Sequence, residues 1–425
     1  MTRGIMIAAP ASGSGKTTIT LGLLRALSRH GIKVTGAKSG PDYIDPRFHE
    51  AACGQPCCNL DAWAMTPERI RALAAGAQDL LVVEGAMGLF DGAPPDGRGS
   101  SADLAAILGT PVILVVDAAR MAQSVAPLIT GFRDHDTRLM GHFAGVILNR
   151  VGSPRHEAML RRALEPVLPV LGAVPRNAGL SHPSRHLGLV QAHERPDLEA
   201  FLDHAADLVE SHIDLAAIQS AAGTVSTAPS SPGLTPPAQR IAVAQDEAFA
   251  FAYPHILADW RALGAEISFF SPLADEVPGP ADFIFLPGGY PELHAGRIAA
   301  STRFLTGLTK AAETTEIYGE CGGYMVLGEG LVDADGTRHQ MLGLLPLETS
   351  FANRKLHLGY RSLTASEGPF RGRFAAHEFH YASTLKAEGA PLFEAQDAEG
   401  TALPPMGLIS GRVSGSFAHI IDAAN

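Results

Sequence analysis

Cysteine, charge and long apolar runs are all in short supply in this chain, and each shortage excludes something. Only four cysteines occur in 425 residues: Cys53, Cys57 and Cys58 cluster, and Cys321 stands alone. The cluster has no second ligand pair at zinc spacing, so these thiols read as small buried hydrophobes of a reducing compartment. Lysine and arginine total 33 against 44 acidic residues, a formal net charge of −11. That leaves no cationic surplus to displace counterions, which argues against nucleic acid as the main partner. No apolar stretch reaches the roughly 18 residues that a membrane span needs. The apolar N-terminal run breaks at once into a loop of glycine and lysine, unlike a signal peptide. The expectation is a soluble, cytoplasmic protein whose partners are small molecules. A homodimer is compatible with it.

What is abundant is apolar core: 46% of residues are hydrophobic and 18% charged. A chain of this length exceeds one typical core and points to two domains, with a third left open. Strand-like runs fall at about 3–9, 32–38, 79–84, 111–116 and 143–148, with helical stretches between them. Such alternation is the mark of parallel βαβ units. Residues 216–239 are rich in small residues, serine, threonine and proline and lack an apolar period, so they read as a linker. From Arg240 a second βα series begins. The predicted fold class is α/β, with two doubly wound domains at 1–215 and 240–425.

Three segments in the first half carry chemistry, with Asn149 beside them. After the first predicted strand, Gly13, Ser14, Gly15, Lys16, Thr17 and Thr18 open a helix. Glycines let the backbone curl round a phosphate, Lys16 reaches the β- and γ-phosphates of ATP, and the Thr17 hydroxyl is placed for Mg²⁺. Pro10 stands where the usual pattern has its first glycine. The run "VVEGAMGLFDG" ends a strand at Glu84, where parallel strands open onto their ligand crevice. Glu84 is therefore a second candidate for the metal; a plain strand-end acid facing water is the alternative. "AKSGPDYIDP" gathers Lys38, Asp42, Tyr43 and Asp45 on what reads as a loop. These are candidates for holding the acceptor, with Asp45 also available to Mg²⁺; a turn rich in Gly, Pro and Asp is the alternative. Asn149 ends another strand where a base edge could be read. A partitioning-type switch ATPase would carry a lysine at the second position of the phosphate loop, and Ala11 is there instead.

In the second half, "YGECGGYMVLG" sets Cys321 between Gly319 and Gly323, after a short apolar strand and before a helical run. This G-x-C-x-G pattern is a nucleophile elbow: the glycines tolerate a strained turn, and the helix start favours the thiolate. Gly288 and Gly289 end an upstream strand, with N–H groups available to an oxyanion hole. His419, near the C-terminal end, is the candidate base.

These motifs together resemble a known family. The second half is similar to class I (triad-type) glutamine amidotransferase domains, and the first half to P-loop NTPase-type domains of the dethiobiotin-synthetase kind. Their fusion resembles the cobyrinic acid a,c-diamide synthases of the corrin pathway across essentially the whole chain. The residues that carry this are "APASGSGKTT", "GPDYIDP", "EGAMGLFDG", "LPGGYPELHA", "ECGGYM", "LGYR", "HEFHY" and "GSFAHIID". Within that family's own loop Pro10 is expected.

The resemblance implies two coupled reactions in cobalamin biosynthesis. Cys321 attacks the side-chain amide of glutamine while His419 shuttles protons, releasing ammonia. MgATP phosphorylates the a and c carboxylates of a corrinoid polycarboxylate in turn, and ammonia displaces phosphate without entering bulk water. The substrate is expected to be cobalt-free hydrogenobyrinic acid. Cobalt-containing cobyrinic acid is the first alternative, and a switch ATPase with a degenerate amidotransferase domain the second. One position departs from the usual triad. Two residues after the histidine, where glutamate is usual, stands Ile421. Asp422, Glu378 or a backbone carbonyl are the options for orienting His419. "HEFHY" (377–381) reads as a strand that contacts the polyanionic substrate or a domain interface, against the plainer reading of an exposed polar strand.

Overall fold

Short apolar runs bounded by glycine or polar residues supply the central strands of both halves. The computed structural model describes residues 2–177, 184–185, 188–189 and 191–424. The chain divides into two units, Met1–Pro232 and Gly233–Asn425. In the first, strands β1 (Arg3–Ala8), β2 (Val34–Ser39), β3 (Cys58–Leu60), β4 (Leu80–Glu84), β5 (Val112–Asp117), β6 (Phe143–Val151) and β7 (Val170–Pro175) form a sheet ordered β3-β2-β4-β1-β5-β6-β7. Neighbours along that order run parallel. Parallel strands are covered on both faces, so they read as continuous apolar runs instead of alternating ones. Ile5, Ile7, Val82, Val83, Ile113 and Leu114 are fully buried. Each such side chain contributes roughly 1.5–3 kcal/mol relative to exposure.

Helix α1 (Lys16–Arg29) buries Ile19, Leu23, Leu24 and Leu27. Gly22 lets it approach the helix Leu198–His212, because a Cβ there would lie 2.6 Å from the Ala205 carbonyl oxygen. Arg25 and Arg29 pair with Asp203 and Asp207 across this contact. Helix α2 (Asp45–Cys53) follows β2 and ends at Gly54 in a left-handed conformation.

The linker expected at 216–239 is corrected in part. Leu215–Ala221 is a helix whose cap is the Asp214 side chain, accepting from the Ala217 N–H. Strand β8 (Gly223–Thr224) then pairs antiparallel with Arg3 and Gly4. Strand β5 joins β1 only from Met6 onward, so β8 supplies ladder partners to residues that β5 does not reach. The first unit accordingly runs to Pro232, beyond the expected limit of 215. Low apolar periodicity concealed this because a short helix and a two-residue strand bury few side chains.

In the second unit, β9 (Arg240–Ala244), β10 (Glu266–Phe270), β11 (Phe283–Leu286) and β12 (Glu316–Glu320) are parallel. Further on come β13 (His357–Ala365), β14 (Gly372–His380), β15 (Leu408–Ser410), β16 (Val413–Ser416) and β17 (Ala418–Ala423). The main sheet is ordered β10-β9-β11-β12-β16-β15, with β15 antiparallel to β16. A separate antiparallel sheet contains β13, β14 and β17, an addition that the alternating pattern does not announce. Beneath them Trp260, Phe283, Phe285, Tyr318 and Phe370 pack ring against ring. The chain leaves one sheet at Ser416 and enters the other at Ala418, which delivers His419 beside the end of β12.

Candidate active sites

The phosphate loop of the first unit is built by two glycines in left-handed conformations, Gly13 at φ 77° and Gly15 at φ 94°. Gly15 caps α1, and a Cβ on it would fall 2.2 Å from Asn149 Nδ2. Asn149 donates to the Ser14 carbonyl at 2.9 Å and accepts from the Arg150 N–H, so this strand-end amide fixes the loop. Ser14 Oγ donates to the Ala11 carbonyl at 2.8 Å. The Pro10 carbonyl lies against Gly88, where a Cβ would approach it to 2.7 Å. Thr18 is half-buried on the first turn of α1.

Around this loop the carboxylates and Lys38 converge. Glu84, fully buried at the end of β4, accepts from Thr17 Oγ1 at 2.6 Å and from Lys38 Nζ at 3.0 Å. Lys38 also meets Asp45 Oδ2 at 2.5 Å. The alternative of a solvent-facing acid at 84 is therefore excluded. Against the opposing effect of burial, Asp45 and Glu84 hold the Lys38 ammonium well above its ordinary pKa. Burial likewise opposes ionisation of Glu84, but Lys38 and His49 hold its carboxyl well below the usual range. Lys16 Nζ donates to the Met87 carbonyl, and burial lowers its pKa.

The expected loop at 37–46 differs in detail: Lys38 lies in β2, and Asp45 begins α2. Asp42 serves the turn between them, its Oδ1 accepting the N–H groups of Ile44 and Asp45 at 2.7 and 3.0 Å. Tyr43 is half-buried in the same turn. Sequence reasoning missed His49, which is fully buried with Nε2 2.7 Å from Glu84 Oε2. The available signal was its i,i+4 spacing from Asp45 on α2, which sets both on one face. Thr17 and Glu84 supply oxygen donors of the hard kind that suits Mg²⁺, and Asp45 offers another on the far side of Lys38. Cys53 and Cys57 are buried as expected, their sulfurs 3.7 Å apart.

In the second unit, Cys321 sits between β12 and helix α3 (Gly322–Leu327) at φ 47°, ψ −103°. A non-glycine residue at positive φ stores on the order of 1–3 kcal/mol, held in place by its surroundings. The flanking glycines explain how. A Cβ on Gly323 would lie 1.9 Å from the Leu286 carbonyl oxygen, and one on Gly319 would lie 2.7 Å from Gly323. Burial pushes the Cys321 thiol pKa up, Glu292 adds to this, and the Gly322 N–H opposes it. The expectation that the helix start favours the thiolate is corrected here, because burial outweighs the Gly322 N–H, and attack by this sulfur calls for a base.

Gly288 makes room for that base. A Cβ there would lie 2.3 Å from His419 Cε1, 2.9 Å from His419 Nε2 and 3.3 Å from Cys321 Cβ. The imidazole edge and the nucleophile therefore share one glycine surface. Gly289 packs its Cα against Ala248, and its N atom lies 3.1 Å from where a Gly322 side chain would begin. Its amide is thus at the elbow, where an oxyanion donor is needed. His419 is fully buried, and burial pushes its pKa down to about 3.

The "HEFHY" strand is β14, and His377, Glu378 and His380 are buried, which overturns the exposed-strand reading. His377 is the cross-strand partner of His419. Glu378 binds Arg361 Nη2 at 2.7 Å and His380 Nε2 at 3.0 Å. His357, Glu378 and His380 bring potential ligand atoms within 4.8 Å of one another. The Arg361 guanidinium already neutralises Glu378 there, so the group reads as a charge network. Asp422 Oδ1 accepts the Ala423 N–H at 2.9 Å, and the Ile421 carbonyl bonds His255 Nε2 at 2.8 Å. A further carboxylate faces the His419 ring, that of Glu320, with Oε2 3.6 Å from Nδ1.

A P-loop unit followed by a cysteine-elbow unit defines a class, the enzymes that couple ATP to glutamine-derived nitrogen. Residues 5–190 match the CobQ/CobB/MinD/ParA nucleotide binding domain, and residues 240–425 match the CobB/CobQ-like glutamine amidotransferase domain. Over 99% of this chain and 98% of the relative, it is 59% identical to a hydrogenobyrinate a,c-diamide synthase of Brucella anthropi. A synthase of the same name from Rhizobium meliloti is 57% identical over 99% of both chains. One from Rhodobacter capsulatus is 54% identical over 99% of this chain and 98% of its own. The chain belongs to the hydrogenobyrinate a,c-diamide synthase family. No described helix is long and apolar enough to cross a membrane.

Proposed function

We propose that this chain amidates the a and c carboxylates of hydrogenobyrinate, using ATP and the amide nitrogen of glutamine. The observation that carries this is the pairing, in one chain, of the Lys16–Thr17–Glu84 phosphate site with a Cys321 elbow facing His419. A carboxylate cannot expel oxide, whereas an acyl phosphate expels phosphate, so ATP supplies the leaving group. Lys16 and the N–H groups of Gly13 to Thr18 hold the phosphates. Lys38 orients the acceptor carboxylate, with Asp42 and Tyr43 shaping the turn beside it. Thr17, Asp45 and Glu84 would hold Mg²⁺, which would supply charge neutralisation for the phosphates.

At the second unit His419 takes the Cys321 proton, and the sulfur attacks the glutamine amide carbon. The N–H groups at Gly288 and Gly289 receive the developing oxyanion. Nitrogen leaves as ammonia with the proton returned by His419, and water hydrolyses the thioester to glutamate. Ammonia attacks the acyl carbon of the corrinoid, and phosphate departs.

The test is incubation of purified protein with hydrogenobyrinic acid, ATP, Mg²⁺ and glutamine, read by product mass, with cobyrinic acid in a parallel arm. Two successive carboxyl-to-amide mass steps on the cobalt-free substrate are expected. Faster conversion of the cobalt-containing acid would reassign the substrate, and conversion of neither would overturn the reading.

A further inference from the structure

We infer that Glu320, the residue directly before the nucleophile, positions His419 in place of the glutamate absent at position 421. This rests on the reading of Cys321 and His419 as nucleophile and base. Glu320 ends β12, buried to 4% exposure. Strand β16 runs parallel beside it, with Glu320 opposite Ser416, and the Ser416 carbonyl accepts the Cys321 N–H at 2.8 Å. Two residues past that bond the chain becomes β17, whose first residues lie against the Glu320 carboxylate. Oε1 accepts the Ile420 N–H at 3.0 Å, and Oε2 stands 3.6 Å from His419 Nδ1. One carboxylate thus grips the peptide next to the histidine and faces the histidine ring.

That arrangement supplies what an orienting triad member must supply. A carboxylate opposite Nδ1 favours the tautomer with the proton on Nδ1, leaving the Nε2 lone pair free to act as base. Nε2 and Cε1 form the ring edge that lies against Gly288 beside Cys321. When the thiol proton moves to Nε2, the ring gains a positive charge in a fully buried site. Burial holds the Glu320 carboxyl up at about 8 while the ring is neutral, and the positive charge on the adjacent ring draws it into its ionised form, which offsets that charge. The 3.6 Å separation is long for a hydrogen bond, and catalytic contacts commonly shorten once substrate is bound. The same proton then passes from Nε2 to the departing nitrogen, which leaves as ammonia, so Glu320 ends the cycle unchanged.

Position 421 cannot do this work, because Ile421 is fully buried core and its carbonyl is held by His255. Glu378 is committed to Arg361 and His380. Glu320 acts through the His419 ring and is a positioning residue.

The test is E320Q in the full-length enzyme, compared with C321S. Glutamine preserves the acceptor for the Ile420 N–H and removes the charge. The expected result is a kcat for glutamine hydrolysis lowered about 10²-fold, with KM for glutamine within about twofold. Ammonia-dependent amidation and Tm should match the parent. E320D, whose shorter arm keeps the charge, should recover part of the lost kcat. An E320Q kcat within a few-fold of the parent, while C321S is inactive with glutamine, overturns the role of Glu320 alone. Loss of Tm and of ammonia-dependent amidation together would make Glu320 structural and equally overturn it. An active C321S would instead sink the nucleophile assignment beneath it.

Discussion

Replacing Gly288 by alanine tests the geometry of the amidotransferase site with a single methyl group. That methyl would begin 2.3 Å from His419 Cε1 and 2.9 Å from Nε2. Carbon atoms settle at about 3.5 Å or more, so the ring must retreat by roughly 1 Å. The Cys321 side, with Cβ 3.3 Å away, leaves little slack in the other direction. A displacement of that size in a reacting group costs about 10²-fold in rate. G288A should therefore lose about that factor in glutamine-dependent amidation, while amidation from added ammonium salt stays at the parental rate. Both are measured by product mass, with glutamate release followed separately. Glutaminase activity within a few-fold of the parent in a normally folded variant would refute the placement of His419 against Gly288.

Other outcomes follow from the same structure. C321S should abolish glutamine-dependent amidation and spare the ammonia-dependent reaction. E84Q removes the charge that Lys38 and His49 face, so both nitrogen sources should fail while glutaminase survives; stability should fall by about 3 kcal/mol in chemical denaturation. G15A, with its Cβ 2.2 Å from Asn149 Nδ2 at a φ of 94°, should weaken ATP binding by calorimetry and leave glutamine hydrolysis unchanged.

Acid should unfold the second unit, and the sign follows from its buried groups. Burial lowers His419 to about 3 and His377 to about 4, and against burial His380 and Arg361 hold Glu378 down at about 2. Depressed groups give stability that is present above their unfolded pKa and lost as pH falls toward the folded one. Burial raises Glu320 to about 8, so its contribution runs the other way, being lost as pH rises from about 4.5 to 8. Below about pH 4.5 only the depressed groups still change, so stability should drop steeply there. A flat denaturation midpoint between pH 4.5 and 3 would contradict these burial effects.

What was legible in the sequence was local. Gly13 to Thr17 and Gly319 to Gly323 are contiguous, and the chemistry of each is set by a strand, a turn and the start of a helix. Lys38 and Glu84 could be read because parallel strands deliver their C-terminal ends to one crevice. What stayed hidden depends on neighbours distant in sequence. Glu320 lies next to Cys321, yet its relation to His419 arises only because β16 pairs with β12 and then passes into β17. The spacing from Asp45 aside, nothing in the local sequence marks His49, whose role appears only where α2 packs it on Glu84. The helix and strand inside 215–224 were masked by small residues, since their role is pairing the start of β1 and not burying large side chains.

The central claim is that nitrogen moves from glutamine to a corrinoid carboxylate at the expense of ATP. Amide-¹⁵N glutamine, hydrogenobyrinic acid, Mg²⁺ and the full-length protein test it in one reaction followed by mass spectrometry. The label should appear in the a and c amides only when ATP is present, with ADP and phosphate formed in step. Label released solely as free ammonium, or an unlabelled macrocycle beside consumed ATP, would contradict it.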